Sequence, residues 1–229
     1  GYRFPIPPFP TGWFQVAYSD ELPPGGVLPL QYFGQDLVLF RDGDGIARLL
    51  DAFCPHLGAH LGYGGVVEGS AIRCPFHAWK FDGGGRCVEI PYAEKIPAQA
   101  KLMPWPVMER NGLIMAFHHI GGGPPLWDLP VVAEYTDAGW TDYVDSAHFK
   151  YVHGTPEPPR TRAEIDGHIF RMWSPVQYTT PQGTVEGQIA SENHGFGFGL
   201  VRFTGIVETL IVSSVTPIDG EHLDVRFSF

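Results

Sequence analysis

Cys54-Pro55-His56-Leu57-Gly58-Ala59-His60-Leu61 and Cys74-Pro75-Phe76-His77-Ala78-Trp79 are the two stretches whose reading decides the fold. Each supplies one sulfur and one imidazole, as C-x-H in the first and C-x-x-H in the second. Both set a proline directly after the cysteine, which restricts the backbone beside the metal. A 2Fe–2S centre of mixed ligation asks for that donor set, with two thiolates on one iron and two imidazoles on the other. Neutral histidines leave such a cluster less negative than an all-cysteine one and raise its reduction potential. The rival is a structural zinc held by the same four residues in one tetrahedron. Zinc loops commonly pair cysteine with cysteine and histidine with histidine, whereas each loop here mixes the two, so the iron–sulfur reading is preferred. His60 is surplus once four donors are counted, and Cys87 reads as a small buried apolar side chain.

Working outward, residues 13–18, 34–40, 46–50 and 112–117 read as strands, with Asp42-Gly43-Asp44-Gly45 as a turn between the second and third. The cysteine segments lie between these, flanked by the glycine-rich residues 62–69 and by Gly83-Gly84-Gly85, and so are expected as exposed loops at hairpin tips. The run Gly121-Gly122-Gly123-Pro124-Pro125 sets the expected boundary between a first domain, residues 1–120, and a second, residues 121–229. In the second half, Val144, Ala147, His148 and Tyr151 recur at helical spacing and predict a helix over residues 144–152. Residues 183–189, 200–203, 206–215 and 223–227 predict a curved antiparallel sheet, and a helix laid on such a sheet encloses an apolar pocket. The run Phe196-Gly197-Phe198-Gly199 is expected chiefly to pack a core. The fold class is therefore α+β, an antiparallel β domain followed by a sheet-and-helix domain.

The chain has 229 residues, 15 Lys plus Arg against 25 Asp plus Glu, and a formal net charge of -10. That balance argues against nucleic acid or an anionic membrane as a general partner. No apolar run is long enough to span a bilayer as a helix, and no secretory leader pattern opens the chain, so the expected location is the cytoplasm. Three cysteines are too few for a disulfide framework.

A second metal is suggested by Asp145-Ser146-Ala147-His148-Phe149-Lys150-Tyr151-Val152-His153. An oxygen-activating iron needs two histidines and a carboxylate on one face, with the opposite positions open. His148 and His153 are five apart, more than one helical turn, so a distortion or helix end near His153 is needed for both to converge.

Taken together, the two cysteine loops resemble the Rieske domain of the Rieske non-haem iron oxygenases, and D-x-x-H-x-x-x-x-H resembles that family's catalytic motif. The resemblance implies that Cys54 and Cys74 bind one iron of a Rieske 2Fe–2S cluster and His56 and His77 the other, with Trp79 packed beside it. It implies that His148 and His153 bind a mononuclear Fe(II), and that Asp145 bridges His148 to the residue matching His77 in a neighbouring subunit of a homotrimer. The second domain would then be a helix-grip, START-like catalytic domain. Two departures stand out: Asp142 occupies a position that is usually asparagine, and the connection before the helix is short. Residues are accordingly expected to be missing between Tyr143 and Val144, and a third, carboxylate ligand is expected beyond residue 229. Asp219, Glu221 and Asp224 are not nominated for it, since they fall in a turn and a strand.

Gly12-Trp13-Phe14, the residues from Arg86 to Tyr92, Glu109-Arg110-Asn111-Gly112 and the segment around His148 are similar to the branch containing ketosteroid 9-alpha-hydroxylases and cholesterol 7-desaturases. The resemblance implies a terminal oxygenase that uses O2 to hydroxylate an apolar, steroid-like small molecule. Its electrons would come from NAD(P)H through a ferredoxin or flavin reductase, because no nucleotide fingerprint is evident in this chain. Two alternatives stay open: an aromatic-ring dihydroxylating dioxygenase, and a Rieske electron carrier whose second half only binds.

Overall fold

The structure, a computed structural model, describes residues 9–136 and 161–229. These form two compact units, Gly1–Asp128 with Thr216–Asp224, and Leu129–Val215 with Val225–Phe229.

In the first unit the apolar run Leu37-Val38-Leu39-Phe40 is fully buried, so both faces of its strand are covered. Side chains alternate across a strand, and the two sets enter different cores. Val38 and Phe40, with Leu50, join the buried group that contains Cys54 and Cys74. Leu37 and Leu39, with Leu49, join a second group built on Phe14, Val16, Ile114 and Ala116. Strands β3 (Gln35–Arg41) and β4 (Ala47–Asp51) are thus the wall between two cores. They pair with β2 (Val27–Tyr32) and β9 (Pro104–Trp105) in the order β2-β3-β4-β9. β1 (Gly12–Tyr18), β11 (Leu113–His118) and β10 (Val107–Arg110) form a three-stranded sheet. Four short strands, β5 (Val66–Glu68), β6 (Ala71–Arg73), β7 (Lys80–Asp82) and β8 (Cys87–Glu89), form a third. All their pairings are antiparallel.

The turn between β3 and β4 is organised by Asp42, whose side chain is fully buried. Its Oδ1 accepts the amides of Asp44 at 3.0 Å and Ile46 at 2.9 Å, and its Oδ2 accepts Arg48 Nε at 2.8 Å. Burial pushes this carboxyl up, but the Arg48 hydrogen bond and the two amides together outweigh it and hold it below the ordinary carboxylate value. Next to Asp42, at the end of β3, Arg41 grips Glu109 with two parallel hydrogen bonds of 2.8 Å, which lowers the Glu109 carboxyl. Residues from the end of the chain complete this unit. Phe33 N donates to Pro217 O at 2.9 Å, Gly34 N to Ile218 O at 2.7 Å, and Tyr32 Oη to Asp224 at 2.6 Å.

The second unit contains a short helix, α1 (Ala133–Thr136), and strands of one antiparallel six-stranded sheet in sequence order. Its strands are β12 (Arg162–Asp166), β13 (Ile169–Thr180), β14 (Gly183–His194), β15 (Phe198–Thr204), β16 (Thr209–Pro217) and β17 (Leu223–Ser228). The β13–β14 hairpin keeps register from Ile169 opposite His194 to Thr180 opposite Gly183. Tyr178 closes over Gly187, where a Cβ would collide with its ring and with the Thr204 carbonyl. Arg202 Nε donates to Glu134 at 2.8 Å, joining α1 to the sheet.

The strands expected in both halves are present, so the mostly antiparallel architecture stands. β2, the six short strands β5 to β10, β12 and β13 were not expected. β2 carries Pro29 and β13 carries Pro175, residues that argue against a central strand. Pro175 lies past the point where β12 ends, because β12 faces only residues 169–173. Phe198 is buried as expected of a core residue, but Phe196 is 74% exposed at the turn before β15. The helix expected over residues 144–152, Asp142 and the junction of Tyr143 with Val144 lie outside the described residues.

Asp42→Ala leaves two amides and the Arg48 guanidinium without their acceptor, and is expected to cost about 2–4 kcal/mol in urea unfolding at neutral pH. Both Asp42 and Glu109 have lowered folded-state values, so their stabilisation is complete above the unfolded carboxylate value of about 4. It is lost as pH falls through the lower folded values, and the gap between Asp42→Ala and the parent should narrow over that range.

Candidate metal centre

The two cysteine loops have the same backbone. In the first, Cys54 N donates to Ala59 O at 2.9 Å and Gly58 N to Cys54 O at 2.9 Å; in the second, Cys74 N donates to Trp79 O at 2.8 Å and Ala78 N to Cys74 O at 3.2 Å. The fifth residue of each loop is left-handed, Gly58 at φ 74° and Ala78 at φ 58°. Each loop therefore reverses the chain around its cysteine and satisfies that cysteine's own N–H and C=O. The second loop joins β6 to β7, and the first is closed by a bridge between Phe53 and His60.

The cysteines occupy equivalent places in the two loops and the histidine is shifted by one, third in the first loop and fourth in the second. The result is segregation of the donors. Cys54 and Cys74 are 2% and 1% exposed, inside the group that holds Leu61, Ile72 and Phe81, while His56 is half-buried and His77 exposed. The expectation of exposed loops is corrected on this point: the histidine ends reach solvent and the sulfurs do not, because Val38, Phe40 and Leu50 from the β3–β4 wall belong to the same core.

Burial, above all, pushes the Cys54 thiol up to about 11, and the neighbouring Cys74 thiol, within hydrogen-bonding reach, adds to this; the His56 amide acts the other way. No disulfide links any of the three cysteines. The His56 and His77 rings lie 4.6 Å apart between centroids at 75°. Among the described residues no three His, Cys, Asp or Glu side chains converge on a single point. The four side chains form a buried sulfur pair and a superficial nitrogen pair, an arrangement that suits a cluster with two thiolates on one iron and two imidazoles on the other.

The nominated neighbours have clear places. Trp79 stacks on His56 at 4.6 Å and 8°, and its Nε1 donates to Tyr92 Oη at 2.7 Å. His60 works on its own loop, accepting Gly62 N on Nδ1 at 3.0 Å and meeting Phe53 edge to face at 5.1 Å. Cys87 is buried in the same core as Cys54, as expected, and burial raises its thiol. Sequence reading missed Tyr92 and the paired left-handed residues; the shared pattern Cys-Pro-x-x-Gly/Ala was the available signal for the latter. It also missed a polar group in the second unit, where buried His194 meets Glu192 at 2.6 Å through Nε2 and Glu192 also accepts Arg171 at 2.6 Å. Asp145, His148 and His153 lie outside the described residues.

Residues 12–103 match the Rieske [2Fe-2S] domain, and residues 116–229 match the 3-ketosteroid 9alpha-hydroxylase C-terminal domain. The chain belongs to the Rieske oxygenases. A 2Fe–2S cluster is the cofactor of the Rieske domain, and the two donor pairs suit it. Among Rieske oxygenase relatives, cholesterol 7-desaturase nvd 1 of Ciona intestinalis is 44% identical over 137 residues, 59% of this chain and 29% of that protein. The 3-ketosteroid-9-alpha-monooxygenase oxygenase component of Rhodococcus rhodochrous is 35% identical over 182 residues, 70% of this chain and 48% of that protein. The chain thus spans less than half the length of either relative. In fold it is similar to dicamba monooxygenase with non-haem iron and dicamba, with TM-score 0.73 and 21% identity over 94% of this chain and 75% of that one. It is also similar to Pseudomonas putida NdmA with caffeine, with TM-score 0.67 and 22% identity over 94% and 72%.

The left-handed positions make the loop geometry testable. No atom lies within 4 Å of a Cβ built on Gly58, so Gly58→Ala introduces backbone strain without a clash. Gly58→Ala should destabilise and Ala78→Gly stabilise, each by roughly 0.5–1 kcal/mol in chemical unfolding, the net of left-handed strain and unfolded-chain entropy.

Proposed function

We propose that this chain is the oxygenase component of a Rieske system, hydroxylating a steroid-like apolar substrate with O2 and electrons from NAD(P)H. The observation that carries the reading is the buried Cys54–Cys74 pair set behind the surface-facing His56–His77 pair, in a chain whose two halves match the Rieske and ketosteroid 9alpha-hydroxylase domains. In this reading Cys54 and Cys74 hold the inner iron and His56 and His77 the outer one. The cluster, when bound, supplies one-electron transfer at a potential raised by its neutral ligands. The apolar shell around the sulfurs excludes water, the His56 amide faces the Cys54 sulfur, and the imidazoles lie where a partner's redox centre can approach.

His148 and His153 are the proposed protein ligands of the mononuclear Fe(II), which activates O2 when bound. Asp145 is proposed to orient His148 and bridge it to His77 of a neighbouring subunit, which requires a homotrimer. The second domain, residues 121–229 against a Rieske domain of residues 1–120, is read as a helix-grip, START-like fold. Over the whole reaction one oxygen atom enters a C–H bond of the substrate, and the other leaves as water with two electrons and two protons. A ferredoxin or flavin reductase supplies the electrons, consistent with a cytoplasmic location. Among the described residues no helix is long and apolar enough to cross a membrane.

A second reading is dehydrogenation of a sterol, favoured by the 44% identity to a cholesterol 7-desaturase. Incubation of the protein with a reductase, NADH or NADPH, labelled O2 and a panel of steroids, sterols and arenes separates these outcomes. One labelled oxygen per steroid product supports the hydroxylase, and an unlabelled product lacking two hydrogens supports the desaturase. Both labelled atoms in an arene product, or protein that holds zinc and shows no reduced-state paramagnetic signal, overturns the assignment.

A further inference from the structure

Residues 91–99 are all exposed, an excursion from the Rieske unit closed at its neck. Cys87 N donates to Ala100 O at 3.0 Å and Leu102 N to Gly85 O at 2.7 Å, with Arg86 bridged to Lys101. Buried Ile90 and Ala100 anchor its two ends in the core of the cysteines. Tyr92, 62% exposed, turns its hydroxyl back onto Trp79, accepting the indole N–H at 2.7 Å. Trp79 is itself buried and lies flat on His56, the rings 8° from parallel. A buried indole N–H needs an acceptor, and the one it has fixes the rotation of the whole ring. An imidazole attached to iron through one nitrogen can still turn about that bond, and a flat aromatic shelf against its face stops it.

We propose that Tyr92 is a positioning residue for the cluster: by holding the Trp79 indole it sets the orientation of the His56 ring on the outer iron. The proposal rests on the cluster assignment made above. Outer partners that orient metal-bound histidines change metal retention and electronic structure even when they touch no metal. Tyr92 sits in an exposed excursion, so Tyr92→Phe removes the acceptor and leaves the core intact.

The test uses the purified holoprotein with Tyr92→Phe, Trp79→Phe and the double variant, compared at one pH. Tyr92→Phe should retain full iron and acid-labile sulfide, with only the modest fall in unfolding midpoint that one orphaned indole N–H brings. Its reduced-state paramagnetic g values should nevertheless spread, and iron release to a chelator should run roughly tenfold faster. In the Trp79→Phe background the Tyr92→Phe change should add nothing, because the hydroxyl acts through the indole. Parent-like g values and release rate in Tyr92→Phe would overturn the proposal, as would an equal further increment in the double variant. A parent protein with no reduced-state signal would overturn the cluster assignment itself, and shows this before any variant is compared.

Discussion

Carrying two cysteine sulfurs into an apolar core is the constraint on which the first unit is built. A loop that enters a core brings its backbone amides and carbonyls with it, and each left without a partner costs about 1–3 kcal/mol. Here the two loops meet this demand in the same way, closing on themselves through the N–H and C=O of the cysteine and a left-handed residue four positions later. The surrounding shell is supplied by β3 and β4, whose alternate side chains face the sulfurs on one side and a second core on the other. A wall buried on both faces leaves little freedom in register, since a slip of one residue would exchange the two cores.

The same geometry divides the donors by depth. Both loops bring cysteine in at the first position, while the histidines, at positions three and four, come out at the rim with Leu57 and Phe76, each 66% exposed. A charge-bearing centre placed this way is dry behind and accessible in front. The dry side resists hydrolysis and tunes potential, and the accessible side shortens the path for an electron. Trp79 belongs to both environments, buried by residue but stacked on the His56 ring and tied by its N–H to an exposed tyrosine.

Much of this was legible from residue order. Mixed spacing in Cys54-Pro55-His56 and Cys74-Pro75-Phe76-His77 predicts two donor pairs, and alternating apolar stretches predict strands in both units. Misreadings occurred where a residue's local preference was overruled by its neighbours. Pro29 lies on the edge strand β2 and Pro175 lies beyond the end of β12, so in both places the missing N–H is tolerated. Phe196 looked like its neighbour Phe198, yet the turn before β15 sends one ring outward and the other inward.

The sequence by itself determined the family and the antiparallel character, and it proposed the donor set, because these depend on residue type at short spacing. Tertiary structure alone decided which donors are buried, that residues 216–224 return to the first unit, and that Tyr92 reaches Trp79 across thirteen positions. Such facts depend on contacts between segments far apart in the chain. Their free energy comes from burial and from hydrogen bonds completed only after the chain has folded, and no local pattern encodes it.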